Sequence, residues 1–250
     1  MLVGRAAELS RLDALVAAAR GGQAQTLCVV GEPGMGKTSL LSVAADHAAA
    51  SGVAVVRVTA VEPETAVRGA VLDLILRRLR AVGATIDPGA TTVPSLLTAL
   101  LEAASGGPLL VVVDDVQWLD EASLRALLFA ARRLLADPVG LLLAGRPEVE
   151  QLPGMREVPR LQLAALPEAA ALELLASVAP GLSDATAGDV VRSLGAVPLA
   201  LVEAGRLLTP DELAGRVQLP SPIRVGPAVQ ERYARGCHTL PSAGRLALTV

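Results

Sequence analysis

The sequence predicts an α/β fold: a three-layer α/β/α domain built on a five-stranded, mainly parallel sheet and followed by a small helical domain. Three observations carry this. Apolar runs of strand length alternate with segments of helical period, the pattern of a parallel sheet covered by helices. Two of the runs, LLVVV at 109–113 and LLLA at 141–144, have no polar face and so read as strands buried on both sides. After Leu166 the strand-like runs stop and only helical patterns remain.

Composition narrows the classes. With 250 residues, 52% hydrophobic and 19% charged, the chain can bury a sizeable core and is not disordered. Aromatics are limited to Trp118, Phe129 and Tyr233, so the core must consist of Leu, Val and Ala. Mean hydropathy is +0.51, yet the apolar runs are far shorter than the ~20 residues of a membrane-spanning helix. No membrane partner is expected. The opening MLVGRAAELSRL has no secretory pattern, and Cys28 and Cys237 give neither a disulfide framework nor a metal-ligand spacing, which makes the cytoplasm the expected compartment. A net charge of −3 and a pI near 5.5 argue against nucleic acid being contacted by this chain itself. The clusters Arg77, Arg78, Arg80 and Arg132, Arg133 oppose apolar stripes and read as solvated helix faces.

In chain order, a helix over about residues 5–19 puts Leu9, Leu12, Leu15 and Val16 on one face, and a buried strand, TLCVV, follows. A helix from Lys37 to about residue 50 precedes the strand VAVVRVT. Residues 67–82 repeat Val71, Leu74, Ile75, Leu79 and Val82 at threes and fours, residues 83–92 read as a loop, and Pro94 begins another helix. Past the strand at 109–113, Asp120 reads as the N-cap of a helix striped by Leu124, Leu127, Leu128, Ala131 and Leu135. VGLLLAGR and RLQL give the fourth and fifth strands. Helices are then expected over about 167–180, 184–194 (closed by Gly195) and 198–208. The expected domains are residues 1–165, 166–209 and a connector over 210–250.

Chemistry concentrates in two segments. VVGEPGMGKTSLL fits GxxxxGK[ST]: Gly31, Gly36, Lys37 and Thr38 hold the fixed positions, Glu32, Pro33, Gly34 and Met35 lie between them, and Ser39 follows. A glycine-rich turn between a buried strand and a helix offers successive backbone N–H groups and a helix N-terminus to phosphate oxygens, the pattern of a P-loop NTPase, for which the ASCE type is the expected fold class. Lys37 would reach the β and γ phosphates of ATP, or the β phosphate of ADP, and the Thr38 hydroxyl would ligate Mg²⁺. In VVVDDVQWLD, Asp114 is assigned to the Mg²⁺ shell and Asp115 to polarising the attacking water, the bland alternative being that both acids merely end the strand. Arg146 would lie near the γ phosphate if its strand sits between the two motif strands. Trp118 reads as a packing residue, and neither His47 nor His238 as catalytic.

Together, LVGRAAELSRL, VVGEPGMGKTSLL, VVVDDVQWLDEASLRALLFAARRL, LLLAGRP and GAVPLALVEAGRLL resemble the ATPase module of large LuxR-type, MalT-like transcriptional regulators of bacteria, a branch of the signal-transduction (STAND) P-loop ATPases. The likeness runs from Leu2 to about residue 248. It implies that Val3, Gly4 and Arg5 lie near the adenine and that Gly195 and Pro198 match a lid element that contacts the nucleotide. It also implies a slow, regulatory ATPase: ADP held at rest, exchange for ATP on sensing an inducer, then self-association at promoters. Two departures stand out. The family usually has an aromatic residue and a proline where this chain has Gly69 and Arg68. The family's winged helix, sensor repeats and DNA-reading helix-turn-helix are absent, LPSAGRLALTV being where a winged helix would begin, so the chain is expected to be a fragment or truncated product with DNA contacted by the missing C-terminal part. The alternative class is a stand-alone AAA-like ATPase that remodels a partner protein, with Arg156 or Arg160 reaching a neighbouring subunit's nucleotide.

Overall fold

The computed structural model describes residues 2–85, 92–227 and 229–230. They form two compact units: Ala6–Glu32 with Lys37–Leu163, and residues 2–5 with Pro33–Gly36 and the described residues from Ala164 onward.

The first unit alternates helices and strands: α1 (Ala6–Arg20), β1 (Gln25–Gly31), α2 (Lys37–Ala50), β2 (Ala54–Thr59), α3 (Ala70–Ala81), α4 (Val93–Ala104), β3 (Leu109–Asp114), α5 (Glu121–Ala131), β4 (Val139–Gly145) and β5 (Arg160–Leu163). The sheet runs β2-β3-β4-β1-β5 and every pairing is parallel. This is the α/β fold with a parallel sheet that the alternating strand and helix patterns predict. All residues of β3 and β4 are buried, as their lack of a polar face requires, because helices cover both sides of a parallel sheet. Leu and Val from the strands pack with Val71, Ile75, Leu79, Leu96, Leu100 and Leu127 in one core. Cys28 lies within it, and burial pushes its thiol pKa up to about 12.

Several elements differ in extent from expectation. Helix α3 begins at Ala70 and not at residue 67, because Gly69 takes a left-handed conformation (φ 77) that breaks the preceding turn. Its buried face also includes Leu72 and Leu76. Helix α5 ends at Ala131, and Leu135, expected on its stripe, is 75% exposed because it lies beyond the last helical turn. Asp120 does cap α5, accepting from the N–H groups of Ala122 and Ser123.

The second unit contains α6 (Glu168–Val178), α7 (Asp184–Leu194), α8 (Pro198–Leu207) and α9 (Pro210–Leu213). Leu166, Leu175, Val190, Val191 and Leu201 form its core. Ser183 caps α7 and Gly195 (φ 66) closes it. The stretch read as a connector from residue 210 instead opens with α9, because Thr209 and Glu212 form a reciprocal capping box around Pro210. Residues 231–250, including Tyr233, Cys237, His238 and the apolar run LPSAGRLALTV, lie outside the described residues, as does most of the loop expected over 83–92.

Candidate functional site

In the sheet unit, the site grows from the ends of three adjacent strands. β1 runs into the loop at residue 31, β3 ends at Asp114, and β4, carrying Arg146 just past its end, lies between them. The condition placed on Arg146 by the sequence is therefore met: its strand separates the two motif strands. Loops at the carboxyl ends of parallel strands are where such folds bind ligands.

Lys37, the first residue of α2, is 8% exposed. Its Nζ donates to the carbonyls of Gly31 at 2.7 Å and Glu32 at 3.2 Å. The ammonium thus sits inside the bend of the loop. Thr38 Oγ1 donates to Asp114 Oδ2 at 2.6 Å. Burial drives the Asp114 pKa above the ordinary carboxylate value, outweighing the Thr38 hydrogen bond that favours the ionised form. Within the loop, Gly34 (φ 82) and Gly36 (φ 89) adopt left-handed conformations that leave backbone N–H groups unshielded by side chains. A Cβ at Gly36 would meet no atom within 4 Å, so the space over it is open.

Asp115 is itself left-handed (φ 56, ψ 44), a strained conformation for a residue with a Cβ. Its carboxylate accepts from Gln117 Nε2 at 2.7 Å, and the backbone N–H of Arg146 donates to Gln117 Oε1 at 3.1 Å. The Arg146 guanidinium lies 5.5 Å from the centroid of the Trp118 ring, which also packs against the core. Gln117 is the residue that sequence reasoning passed over. The available signal was a single amide two positions beyond the acid pair.

The helical unit gathers the remaining candidates around loop residues 33–36. Arg5 is 5% exposed, and its guanidinium donates to Met35 O at 3.3 Å and Ala164 O at 2.7 Å. Val3 is half-buried against the helical core. The N–H of Leu199, next to Pro198 at the start of α8, donates to Gly34 O at 3.1 Å. Ala196 takes φ 55 and its carbonyl accepts from Leu166 N at 3.1 Å, which fixes the turn leading into α8.

The donors suit a magnesium nucleotide. Magnesium is usually held by one or two protein oxygens plus phosphate and water, not by a dedicated cage. Thr38 and Asp114, hydrogen-bonded to each other, are two such oxygens and could supply that pair, whereas no group of three or more His, Cys, Asp or Glu capable of holding a metal occurs among the described residues. His47 is exposed and 3.6 Å from Asp13, away from these groups. Arg77, Arg78, Arg132 and Arg133 are exposed, as expected of solvated faces, while Arg80 is half-buried. Among the described residues no helix is long and apolar enough to cross a membrane.

Comparison with known proteins agrees with this fold. No curated protein matches the chain. Among solved structures, a point mutant of Thermotoga maritima RuvB aligns with a TM-score of 0.58 at 15% identity, over 85% of this chain and 69% of that one. The Aeropyrum pernix ORC1 protein, solved in complex with DNA, aligns with a TM-score of 0.56 at 19% identity, over 99% and 71%. A chain of the E. coli MS115-1 HORMA:CdnC:Trip13 complex gives 0.55 at 16%, over 78% and 74%. At these identities the likeness establishes the fold. The family model described as "AAA ATPase domain" matches residues 1–143, more than half the chain, and with the loop, lysine and strand-end acids in place this protein belongs to the AAA ATPase domain family.

Proposed function

We propose that this AAA ATPase module is a cytoplasmic switch from a bacterial LuxR-type transcriptional regulator, binding ATP and hydrolysing it slowly, with DNA contacted by a domain outside these residues. The observation that carries the switch reading is the hydrogen bond from Leu199 N to Gly34 O. It attaches the first turn of α8, beside Pro198, to the loop whose conformation phosphate would set. A ligand that moves the loop therefore biases α8, and a ligand can shift such an equilibrium only through contacts that differ between states.

In this reading the backbone N–H groups of the 31–39 segment, which Pro33 alone lacks, cradle the phosphates and Lys37 turns from its loop carbonyls toward the β and γ oxygens. Thr38 and Asp114 hold Mg²⁺. When bound, the ion neutralises charge developing on the phosphates. Asp115 takes the proton of the attacking water, and Arg146 stabilises the γ phosphate. The backbone of residues 3–5 borders the adenine, the Arg5 guanidinium being occupied with Met35 and Ala164. ATP binding then favours self-association.

The test is to purify the chain without added nucleotide, denature it and identify what is released by chromatography. Stoichiometric ADP from a monomer supports the switch. A second reading, a motor remodelling a partner protein, draws on Arg156: it is exposed and makes no ion pair among the described residues, whereas Arg160 faces Glu150 at 3.3 Å. An empty protein that assembles into rings and turns over ATP rapidly would favour the motor. A protein that neither retains nor binds nucleotide would contradict both.

A further inference from the structure

Four groups at the ends of β3 and β4 form a linked cluster: Asp115, Gln117, Trp118 and Arg146. Gln117 is its centre. The orientation of its amide follows from its partners, because a carboxylate can only accept and a backbone N–H can only donate. The NH₂ must face Asp115 (2.7 Å) and the carbonyl must face Arg146 N (3.1 Å). No other orientation makes both bonds. The seat is also closely shaped: a Cβ on Gly145 would come within 2.4 Å of Val149 Cγ1 and 2.9 Å of Val116 Cγ2, so those side chains require the end of β4 to be bare, and the Gln117 Oε1 would be in tight contact at 3.1 Å. Asp115 is held in its left-handed conformation at the start of the 116–118 turn, with its own carbonyl accepting from Trp118 N at 2.9 Å. A strained residue persists where its surroundings over-determine it. Here the surroundings are the turn on one side and the Gln117 amide on the other.

We infer that Gln117 is a positioning residue for ATP hydrolysis: its amide fixes the Asp115 carboxylate and ties it to the backbone of Arg146, so that the acid and the arginine hold one mutual arrangement. The inference rests on the reading of Asp115 as the acid that activates water. Gln117 itself touches neither water nor phosphate in this account. Its effect should fall on the chemical step and not on nucleotide affinity, since the phosphate cradle and the Thr38–Asp114 pair lie on other residues. Gln117→Glu keeps the shape and the acceptor for Arg146 N but replaces the donor to Asp115 by a second carboxylate. Gln117→Leu removes both bonds.

The experiment is single-turnover phosphate release from MgATP by the full chain, followed over hours, with ATP affinity and thermal melts recorded for wild type, Gln117→Glu, Gln117→Leu and Asp115→Asn. Groups that orient a functional group from behind commonly cost about 10–100-fold when removed. Both Gln117 variants are expected to lose about that factor in rate while ATP affinity stays within about twofold, Glu losing no less than Leu because the donor has become a repelling charge. If Asp115→Asn is inactive while the two Gln117 variants keep the wild-type rate, the positioning role is wrong and the acid assignment stands. A fall in ATP affinity or melting temperature that accounts for the lost rate would make Gln117 merely structural and equally overturn the inference. If wild type releases no phosphate, or Asp115→Asn releases it at the wild-type rate, the reading of Asp115 fails and the inference fails with it.

Discussion

Thr38 and Asp114, 76 positions apart in the chain, share a 2.6 Å hydrogen bond, the threonine hydroxyl donating to the carboxylate. Each carries an oxygen donor of the kind Mg²⁺ prefers, and the bond places the two side chains together. Burial raises the Asp114 pKa, so its ionised form costs folding stability at neutral pH, and that cost is relieved as pH falls below its folded value.

Asp114→Asn should therefore stabilise the nucleotide-free protein while damaging the site. The expected gain is up to about 1 kcal/mol, or about 2–4 °C in Tm. The same variant should lose the part of the ATP-induced rise in Tm that depends on Mg²⁺. Thermal melts with ATP, with and without Mg²⁺, check both halves; an unchanged Mg²⁺ increment in the variant would remove Asp114 from the metal shell.

Asp120 gives a pH-dependent prediction. Burial pushes its pKa up, but hydrogen bonds from the Ser123 hydroxyl and the N–H groups of Gly69, Ser123 and Ala122 outweigh this and hold it below the ordinary carboxylate range. A depressed carboxylate pKa stabilises the fold above the unfolded value of about 3.9, and the contribution is lost as pH falls through the folded pKa. Asp120→Ala should cost about 2–3 kcal/mol at pH 7, since it removes an N-cap and strands the N–H of Gly69 and the hydroxyl of Ser123. Urea unfolding at pH 7 and in steps below pH 4 should show the gap between wild type and variant narrowing toward acid. A gap that holds constant with pH would mean the carboxylate charge contributes nothing.

Gly4 tests the packing of the helical unit. Its φ of +68 is left-handed, and a Cβ there would lie 2.3 Å from Ala170 Cβ. Gly4→Ala should destabilise this unit by about 2–3 kcal/mol, from overpacking plus backbone strain. Hydrogen exchange of α6 should accelerate; unchanged protection there would show that the N-terminal segment is not packed on it.

Much of this was legible in the sequence because single-face and no-face apolar patterns map directly onto helices and buried strands. β3 and β4 could be read from runs without a polar residue, and the loop at 31–38 from its fixed glycines and lysine. What escaped depended on backbone conformation or on distant partners. Gly69 shortens α3 through a φ of 77 that periodicity cannot reveal, and Leu135 continues a helical stripe past the point where the helix stops. The Arg5 contacts to Met35 and Ala164 span 30 and 159 positions. Gln117 looks like any polar residue after a strand until β4 is seen beside β3.

Lys37, held on the carbonyls of Gly31 and Glu32, is the proposed cationic anchor for nucleotide in the loop at 31–38. Isothermal calorimetry with ADP and with MgATP, on wild-type protein stripped of nucleotide and on Lys37→Ala, tests it most directly. One nucleotide per chain for wild type and no measurable binding for the variant is the expected result. Equal affinity in the two proteins, or no binding by a folded wild type, would contradict the account.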